Sequence, residues 1–144
     1  MLGAWSAQRV RAAEEALMAD LPDGELMARA AEGLAEVCLA RLKASGGSRV
    51  VVLAGAGNNG ADALYAAVRL ASEGFDCVAL QGDLPLTIGD AASWGEQGVQ
   101  VVGPDGDWAG PLDAADLVVD GVLGIGGRPG LPDAARAWVD AVPD

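Results

Sequence analysis

The sequence contains no histidine and a single lysine, Lys43. Without histidine, a Ser-His-Asp triad and most zinc sites are excluded. Acidic residues outnumber basic ones by 21 to 9, which gives a net charge of −12. Nucleic acids and anionic membranes bind clustered Lys and Arg, so we predict neither as a partner. A phosphate on any ligand must then be held mainly by backbone N–H groups, an arginine or a cation.

Cysteine is also scarce, and there is no apolar run of 18 residues. Cys38 and Cys77 lie in apolar segments without a CxxC partner, which predicts two buried structural thiols. The chain of 144 residues, 51% of them hydrophobic, is expected to form one globular domain that does not cross a membrane. Its start becomes charged at Arg9 and Arg11, which does not resemble a signal peptide. We therefore predict a cytoplasmic protein.

The hydrophobic pattern changes after the first third of the chain. Two helices are predicted first, at 5–19 and 25–44, and short apolar runs then alternate with helical patterns. This rhythm predicts an α/β fold, a Rossmann-like three-layer sandwich with a mostly parallel sheet preceded by two N-terminal helices. The predicted strands lie at 49–54, 76–80, 99–102 and 116–122, with helices at 60–73 and about 88–97.

Two glycine-rich segments follow the first and fourth predicted strands. They read GAGNNGAD at 55–62 and GIGGRPG at 124–130. In the common doubly wound strand order 3-2-1-4, strands 1 and 4 are neighbours, and ligands bind beyond their carboxyl ends. We therefore expect both segments to face one cleft, where glycines and the start of helix 60–73 suit a phosphate. Glycines that only make tight turns remain the alternative.

Four polar residues near these loops are candidates for ligand contacts. Asn59 and Asp120 offer oxygen ligands suited to an alkali or alkaline-earth cation, Arg128 offers a phosphate contact, and Asp62 can meet a ligand hydroxyl. Each also has a structural explanation. Asn59 suits a left-handed turn, Asp120 a solvated strand end, and Asp62 the helix dipole.

An NAD-binding domain of an oxidoreductase is a second interpretation of the same loop. The segment 55–60 satisfies G-x-G-x-x-G, and Asp83 follows Gly60 near the offset expected for a ribose-binding acid. Against this, two helices precede the motif, and Asp62 would lie close to a pyrophosphate.

Three segments together resemble the N-terminal YjeF domain family, the NAD(P)H-hydrate epimerases. They are GELMARAAEGLA at 24–35, VVVLAGAGNNGADAL at 50–64 and DLVVDGVLGIGGRPG at 116–130. The similarity covers about residues 9 to 135, and the pairing of the two loops is more specific than either loop alone. It implies an isomerase that interconverts the R and S epimers of hydrated NADH or NADPH (NADHX or NADPHX) in nicotinamide nucleotide repair.

The resemblance also implies a set of site residues. Substrate contacts are expected from Asn58, Asn59, Gly60, Ala61 and Asp62, and from Gly124, Ile125, Gly126, Gly127, Arg128, Pro129 and Gly130. A potassium ion is expected on Asn59 and Asp120. The expected partner is an ADP- or ATP-dependent NAD(P)H-hydrate dehydratase, fused or separate, and a homodimer is left open.

This sequence departs from the family pattern at two places. The family commonly has NNGGDG, whereas Ala61 and Ala63 replace two of those glycines here. Alanine favours a helix over glycine by about 0.8–1.0 kcal/mol, so we expect these changes to leave the pocket open. The family also continues into a D-x-P-S-G segment with the catalytic aspartate, which is expected downstream of Asp144. We therefore expect residues 1–144 to be a C-terminally incomplete YjeF N-terminal domain; a catalytically inactive interaction or ligand-binding module is the alternative.

Overall fold

The computed structural model describes residues 3–142, so the predicted domain limits at 1 and 144 lie outside the described residues. Helices and strands alternate through most of this range. The helices are α1 (Ala7–Met18), α2 (Glu25–Ser45), α3 (Asn58–Ser72), α4 (Ala91–Glu96), α5 (Ala109–Asp113) and α6 (Asp133–Ala141). The strands are β1 (Arg49–Ala54), β2 (Asp76–Gln81), β3 (Val99–Val102) and β4 (Leu117–Gly121).

The four strands form one sheet in the order β3-β2-β1-β4, and every pairing is parallel. The predicted strand order is therefore confirmed. β1 lies between β2 and β4, with Leu53 opposite both Leu80 and Asp120. Its continuous apolar sequence fits this position, because a central parallel strand is covered on both faces.

Helices cover both faces of the sheet, so the predicted three-layer sandwich is confirmed. On one face, α2, α3 and α4 pack on side chains such as Val50, Val52 and Ala79. On the other face, Val51, Leu53 and Leu80 pack against residues of α5 and α6. Both predicted buried thiols lie in the first of these cores, where Cys38 and Cys77 are free and buried.

The start of β1 is tied to the start of β4 by one carboxylate. Asp116 Oδ2 accepts the N–H groups of Ser48 at 2.7 Å and Arg49 at 2.9 Å. These two bonds lower the pKa of Asp116, and the bond from Ser48 has the larger effect. A surface carboxylate therefore aligns the two strands whose opposite ends form the candidate site.

Two differences from the sequence prediction bear on the site. Helices α5 and α6 were not predicted, and α6 contributes to the wall of the cleft described below. Helix α3 begins at Asn58, two residues before the predicted start, so both asparagines belong to its first turn. Within residues 3–142 only glycines have positive φ, and a left-handed turn at Asn59 is therefore wrong.

No helix in the part of the chain that the structure describes is long and apolar enough to span a membrane.

Candidate functional site

A cleft of about 1120 Å³ opens beyond the carboxyl ends of β1 and β4. This volume is slightly above the usual range of about 300–1,000 Å³ for small-molecule sites. Its walls come from α1, the start of α2, the loop after β1, the residues after β2, the loop after β4 and α6. The predicted sites that line it are Asn58, Asn59, Asp62, Gly124, Ile125, Gly126 and Gly127. The two glycine-rich segments therefore meet at one cleft, as predicted.

The close approach of the two segments requires glycine at two positions. The N–H of Gly55 donates to the carbonyl of Gly121 at 3.0 Å. A Cβ at Gly55 would lie 2.1 Å from the carbonyl oxygen of Val122, and one at Gly60 would lie 2.0 Å from the carbonyl oxygen of Gly55. Because these neighbours are backbone atoms, only a shift of the main chain would make room for a side chain.

Asn59 connects the two loops through its side chain. Its Nδ2 donates to the carbonyl oxygen of Leu123 at 3.0 Å. An ideal Cβ built on Gly124 would lie 3.2 Å from the Cβ of Asn59, so the next residue of the loop is also in close contact. With its amide nitrogen used in this way, the side-chain oxygen of Asn59 is left as an acceptor.

The N-terminus of α3 opens into the cleft. Its N-cap is Gly57, which has no side chain to accept a hydrogen bond from the first N–H groups of the helix. The first turn contains Asn58 and Asn59. The first N–H groups of a helix have no partner within it and carry about half a positive charge. This end of the helix is therefore suited to an anionic group of a ligand.

Asp62 is the partly buried acid of the cleft, one turn further along α3. Burial raises the pKa of its carboxyl, and the nearby charge of Glu14 raises it further. Glu14 lines the same cleft from α1. A carboxyl whose pKa is raised in a cleft is a candidate for holding a proton next to a ligand.

Gly60 and Ala61 are buried beneath the cleft and are not among its lining residues. Ala61 is 3% exposed, and Ala63, at 1%, packs its methyl group towards Gly121. Neither alanine lines the cleft, which agrees with the expectation that these two changes leave the pocket open.

Asp120 lies at the end of β4 and is exposed. Its Oδ1 accepts the N–H of Val122 at 3.0 Å, and it is not among the residues that line the cleft. In residues 3–142 there is no group of three or more His, Cys, Asp or Glu that could hold a metal ion. Cation binding by Asp120 therefore stays a prediction.

The last three predicted contacts are not among the residues that line the cleft, and their contact with a substrate stays a prediction. Arg128, Pro129 and Gly130 are exposed and do not line it. The basic residue of the cleft is instead Arg11, whose Nη2 donates to the carbonyl oxygen of Ile125 at 3.3 Å. Sequence reasoning missed Arg11, because nothing in α1 itself indicates which of its exposed residues faces the loop.

Comparisons with known proteins agree with this architecture. The sequence model of the family described as "YjeF-related protein N-terminus" matches residues 23–143. The crystal structure of yeast ynu0 superimposes with a TM-score of 0.81 over 97% of this chain and 64% of that chain. At 23% identity this likeness shows the fold alone.

Several curated relatives are more similar in sequence. The NAD(P)H-hydrate epimerase of Clavibacter sepedonicus is 42% identical over 96% of this chain and 60% of its own length. That of Microbacterium testaceum is 43% identical over 96% of this chain and 54% of its own length. The bifunctional NAD(P)H-hydrate repair enzyme Nnr of Mycobacterium tuberculosis is 41% identical, with 29% of its length covered.

The chain thus spans little more than half the length of these two epimerases and less than a third of the bifunctional enzyme. The family model nevertheless covers most of the chain, including β1, α3 and the glycine-rich loop after β4. By this match the chain belongs to the YjeF-related protein N-terminus family.

Proposed function

We propose that this chain is an NAD(P)H-hydrate epimerase that interconverts the R and S epimers of NADHX or NADPHX. The observation that carries the proposal is the meeting of the two glycine-rich segments at one cleft, through Asn59 and Leu123. Relatives at about 40% identity with the name NAD(P)H-hydrate epimerase support the same activity.

The cleft suits a dinucleotide in size and in chemistry. It offers about 1120 Å³, two loops whose backbone can approach a ligand, and the open N-terminus of α3 for a phosphate. Asn58 and Asp62 line the same space and supply polar groups for the sugar or the hydrated ring. We therefore assign substrate binding to these residues and to Gly124–Gly127.

Epimerisation at the hydrated carbon requires the hydroxyl to leave as water and water to add to the opposite face. A proton must reach the leaving oxygen and be removed again from the incoming one, and a positioned carboxyl typically contributes about 10²–10⁴-fold to such a step. Burial and the nearby charge of Glu14 raise the pKa of Asp62, so its carboxyl takes up a proton more readily than a fully exposed aspartate. We assign Asp62 to holding a ligand hydroxyl, and the acid that carries this proton stays unassigned.

A potassium ion is proposed on Asn59 and Asp120. The side-chain oxygen of Asn59 and the second carboxylate oxygen of Asp120 are not used in the hydrogen bonds found for these residues. An oxygen-only donor set with a single carboxylate fits an alkali cation, whereas a divalent ion usually takes more charged ligands. When bound, the ion would supply positive charge next to the ligand in a protein of net charge −12.

The proposed partner is an ADP- or ATP-dependent NAD(P)H-hydrate dehydratase, fused or separate. Relatives described as bifunctional NAD(P)H-hydrate repair enzymes support a fused arrangement in this family. A cytoplasmic location and a homodimer remain predictions.

The test is a chromatographic time course of R-to-S interconversion of NADPHX, in potassium and in sodium buffer. The epimerase of Clavibacter sepedonicus serves as the positive control. We expect acceleration by this chain that is greater in potassium. Acceleration by the relative alone would refute an epimerase activity of this chain and favour an inactive ligand-binding or interaction module. Hydride transfer to NAD would favour the oxidoreductase interpretation.

The potassium assignment is tested by Asp120→Asn, which removes one charge. We expect this variant to need a higher potassium concentration for the same rate. The matched control is Asp105→Asn, an exposed acid in the loop after β3 that does not line the cleft. Equal potassium dependence of the two variants would exclude Asp120 as a ligand.

A further inference from the structure

The charges around the cleft are unbalanced. Four acids line it, and Arg11 is the one Lys or Arg among its lining residues in the described part of the chain. A ligand with a pyrophosphate would add further negative charge to this space, close to Asp62, so a basic group or a cation is needed to offset it. The acids that line the cleft are Glu14, Asp62, Asp83 and Asp133.

Arg11 lies directly against the glycine-rich loop that follows β4. Its Nη2 donates to Ile125 O at 3.3 Å, and a Cβ at Gly126 would lie 3.0 Å from the same nitrogen. A guanidinium has five N–H donors, and within residues 3–142 this is the one hydrogen bond found for the side chain of Arg11. The remaining donors are available to a ligand in the cleft.

The N-terminus of α3 lines the same cleft. Asn58 and Asn59 in its first turn line the cleft together with Arg11, and Gly124 lies in close contact with Asn59. A phosphate group at this helix end would therefore have the glycine-rich loop, with Arg11 on it, as its neighbour. Helix N-termini and arginine forks are two independent ways to bind phosphate, and here both serve one cleft.

Helix α1 is attached weakly enough to adjust to a ligand. None of its residues is buried, and apart from the N-cap bond of Ser6, Arg11 to Ile125 is the one side-chain hydrogen bond found between this helix and the rest of the described chain. Small rearrangements of such an element have a low free-energy cost. Arg11 can therefore exchange its contact with a backbone carbonyl for one with a charged phosphate, which accepts a stronger hydrogen bond.

We propose that Arg11 binds the pyrophosphate of the dinucleotide substrate, together with the N-terminus of α3. The proposal rests on the proposed function for the identity of the substrate, and it adds a specific residue that the loop motifs do not include. Arg128 is not among the lining residues, and its contact with phosphate stays a prediction.

The test is a calorimetric titration of the whole chain with three stable probes at one ionic strength. NAD⁺ contains the pyrophosphate, NADP⁺ contains the pyrophosphate and a 2′-phosphate, and nicotinamide riboside contains no phosphate. We expect Arg11→Ala to bind both dinucleotides at least about tenfold more weakly, the lower limit for a hydrogen bond between charged groups. Its affinity for nicotinamide riboside should not change.

The matched control is Arg9→Ala. Arg9 lies on the same helix, is exposed, stacks over the ring of Trp5 at 4.7 Å and does not line the cleft. Arg11→Lys should recover part of the affinity, since lysine keeps the charge but loses the planar fork.

Four results would overturn the proposal. Equal weakening of all three probes would assign Arg11 to the positioning of α1, and weakening of NADP⁺ alone would assign it to the 2′-phosphate. No effect of Arg11→Ala, or no binding of any probe to the unaltered chain, would remove Arg11 from the site. These titrations do not require turnover, so the phosphate contact and the epimerase activity can fail separately.

Discussion

Gly60→Ala is a substitution for which two physical effects predict opposite results. Gly60 lies in the first turns of α3 without positive φ, and an exposed helical glycine replaced by alanine normally stabilises a protein by about 0.8–1.0 kcal/mol. Here an added Cβ would lie 2.0 Å from the carbonyl oxygen of Gly55 and 2.8 Å from its carbonyl carbon. The steric effect therefore opposes the helix propensity.

The steric effect should be the larger of the two. An ordinary van der Waals contact requires about 3.4 Å or more, so the main chain at Gly55 and Gly60 would have to separate by more than 1 Å. Forcing one extra methyl group into a packed site typically costs about 1–3 kcal/mol. Because the contacted atoms here are backbone atoms, we expect the upper part of this range, and a net destabilisation of about 2 kcal/mol.

The assay is urea denaturation followed by circular dichroism, with thermal melting as a second measurement. The matched control is Gly33→Ala in α2, where the added Cβ has no neighbour within 4 Å. That variant should gain about 0.8–1.0 kcal/mol, so the two substitutions should differ in sign. A Gly60→Ala chain as stable as the original would refute the reasoning and show that the loop at Gly55 is free to move.

Three further predictions concern titrating groups. Glu14→Gln should lower the pKa of Asp62, which carbon NMR can measure. Because the pKa of Asp62 is raised in the folded chain, the folded state loses stability as the pH rises through that pKa. The variant should therefore be more stable than the original chain near neutral pH. The lowered pKa of Asp116 contributes stability above the pKa of an unfolded Asp, and this contribution is lost as the pH falls through the lower folded-state pKa. Asp116→Asn should remove this contribution, which urea denaturation at a series of acid pH values can measure. Cys77, whose pKa burial raises to about 11, and the buried Cys38 should react with a thiol reagent at pH 8 at least about 100-fold more slowly in the folded chain than in urea.

The first two measurements have control variants, and the third has an outcome that would contradict it. Glu15→Gln changes the neighbouring residue of α1, which does not line the cleft, and should leave the pKa of Asp62 unchanged. Asp113→Asn removes an exposed acid for which no hydrogen bond is found, and it should keep the acid dependence of the original chain. Rapid labelling of both thiols in the folded chain would contradict their burial.

Much of the fold was predictable because local patterns and parallel-sheet rules agree. The apolar run of β1 and its neighbours predicted strands buried on both faces, and the sequence of elements predicted the order β3-β2-β1-β4. The same rules predicted that the loops at 55–62 and 124–130 meet, although about sixty residues separate them. The order 3-2-1-4 is common in such folds, so this part of the site could be predicted from sequence.

Other features were decided by tertiary contacts. α5 has only five residues and a weak local signal, whereas α6 is amphipathic and the sequence prediction missed it; both cover the second face of the sheet, with residues such as Leu112 and Trp138. The start of α3 at Asn58 also differs from the prediction, because the asparagines join the helix when Gly60 packs on Gly55.

The positions of the arginines show most directly which features follow from sequence and which depend on tertiary structure. Arg128 lies within the glycine-rich motif, yet it is not among the residues that line the cleft, whereas Arg11 reaches the cleft from a helix more than one hundred residues away in sequence. Composition determined that few basic groups exist to hold a phosphate. Which of them faces the cleft depends on how α1 packs over the loop, and long-range packing of this kind leaves no local pattern in the chain.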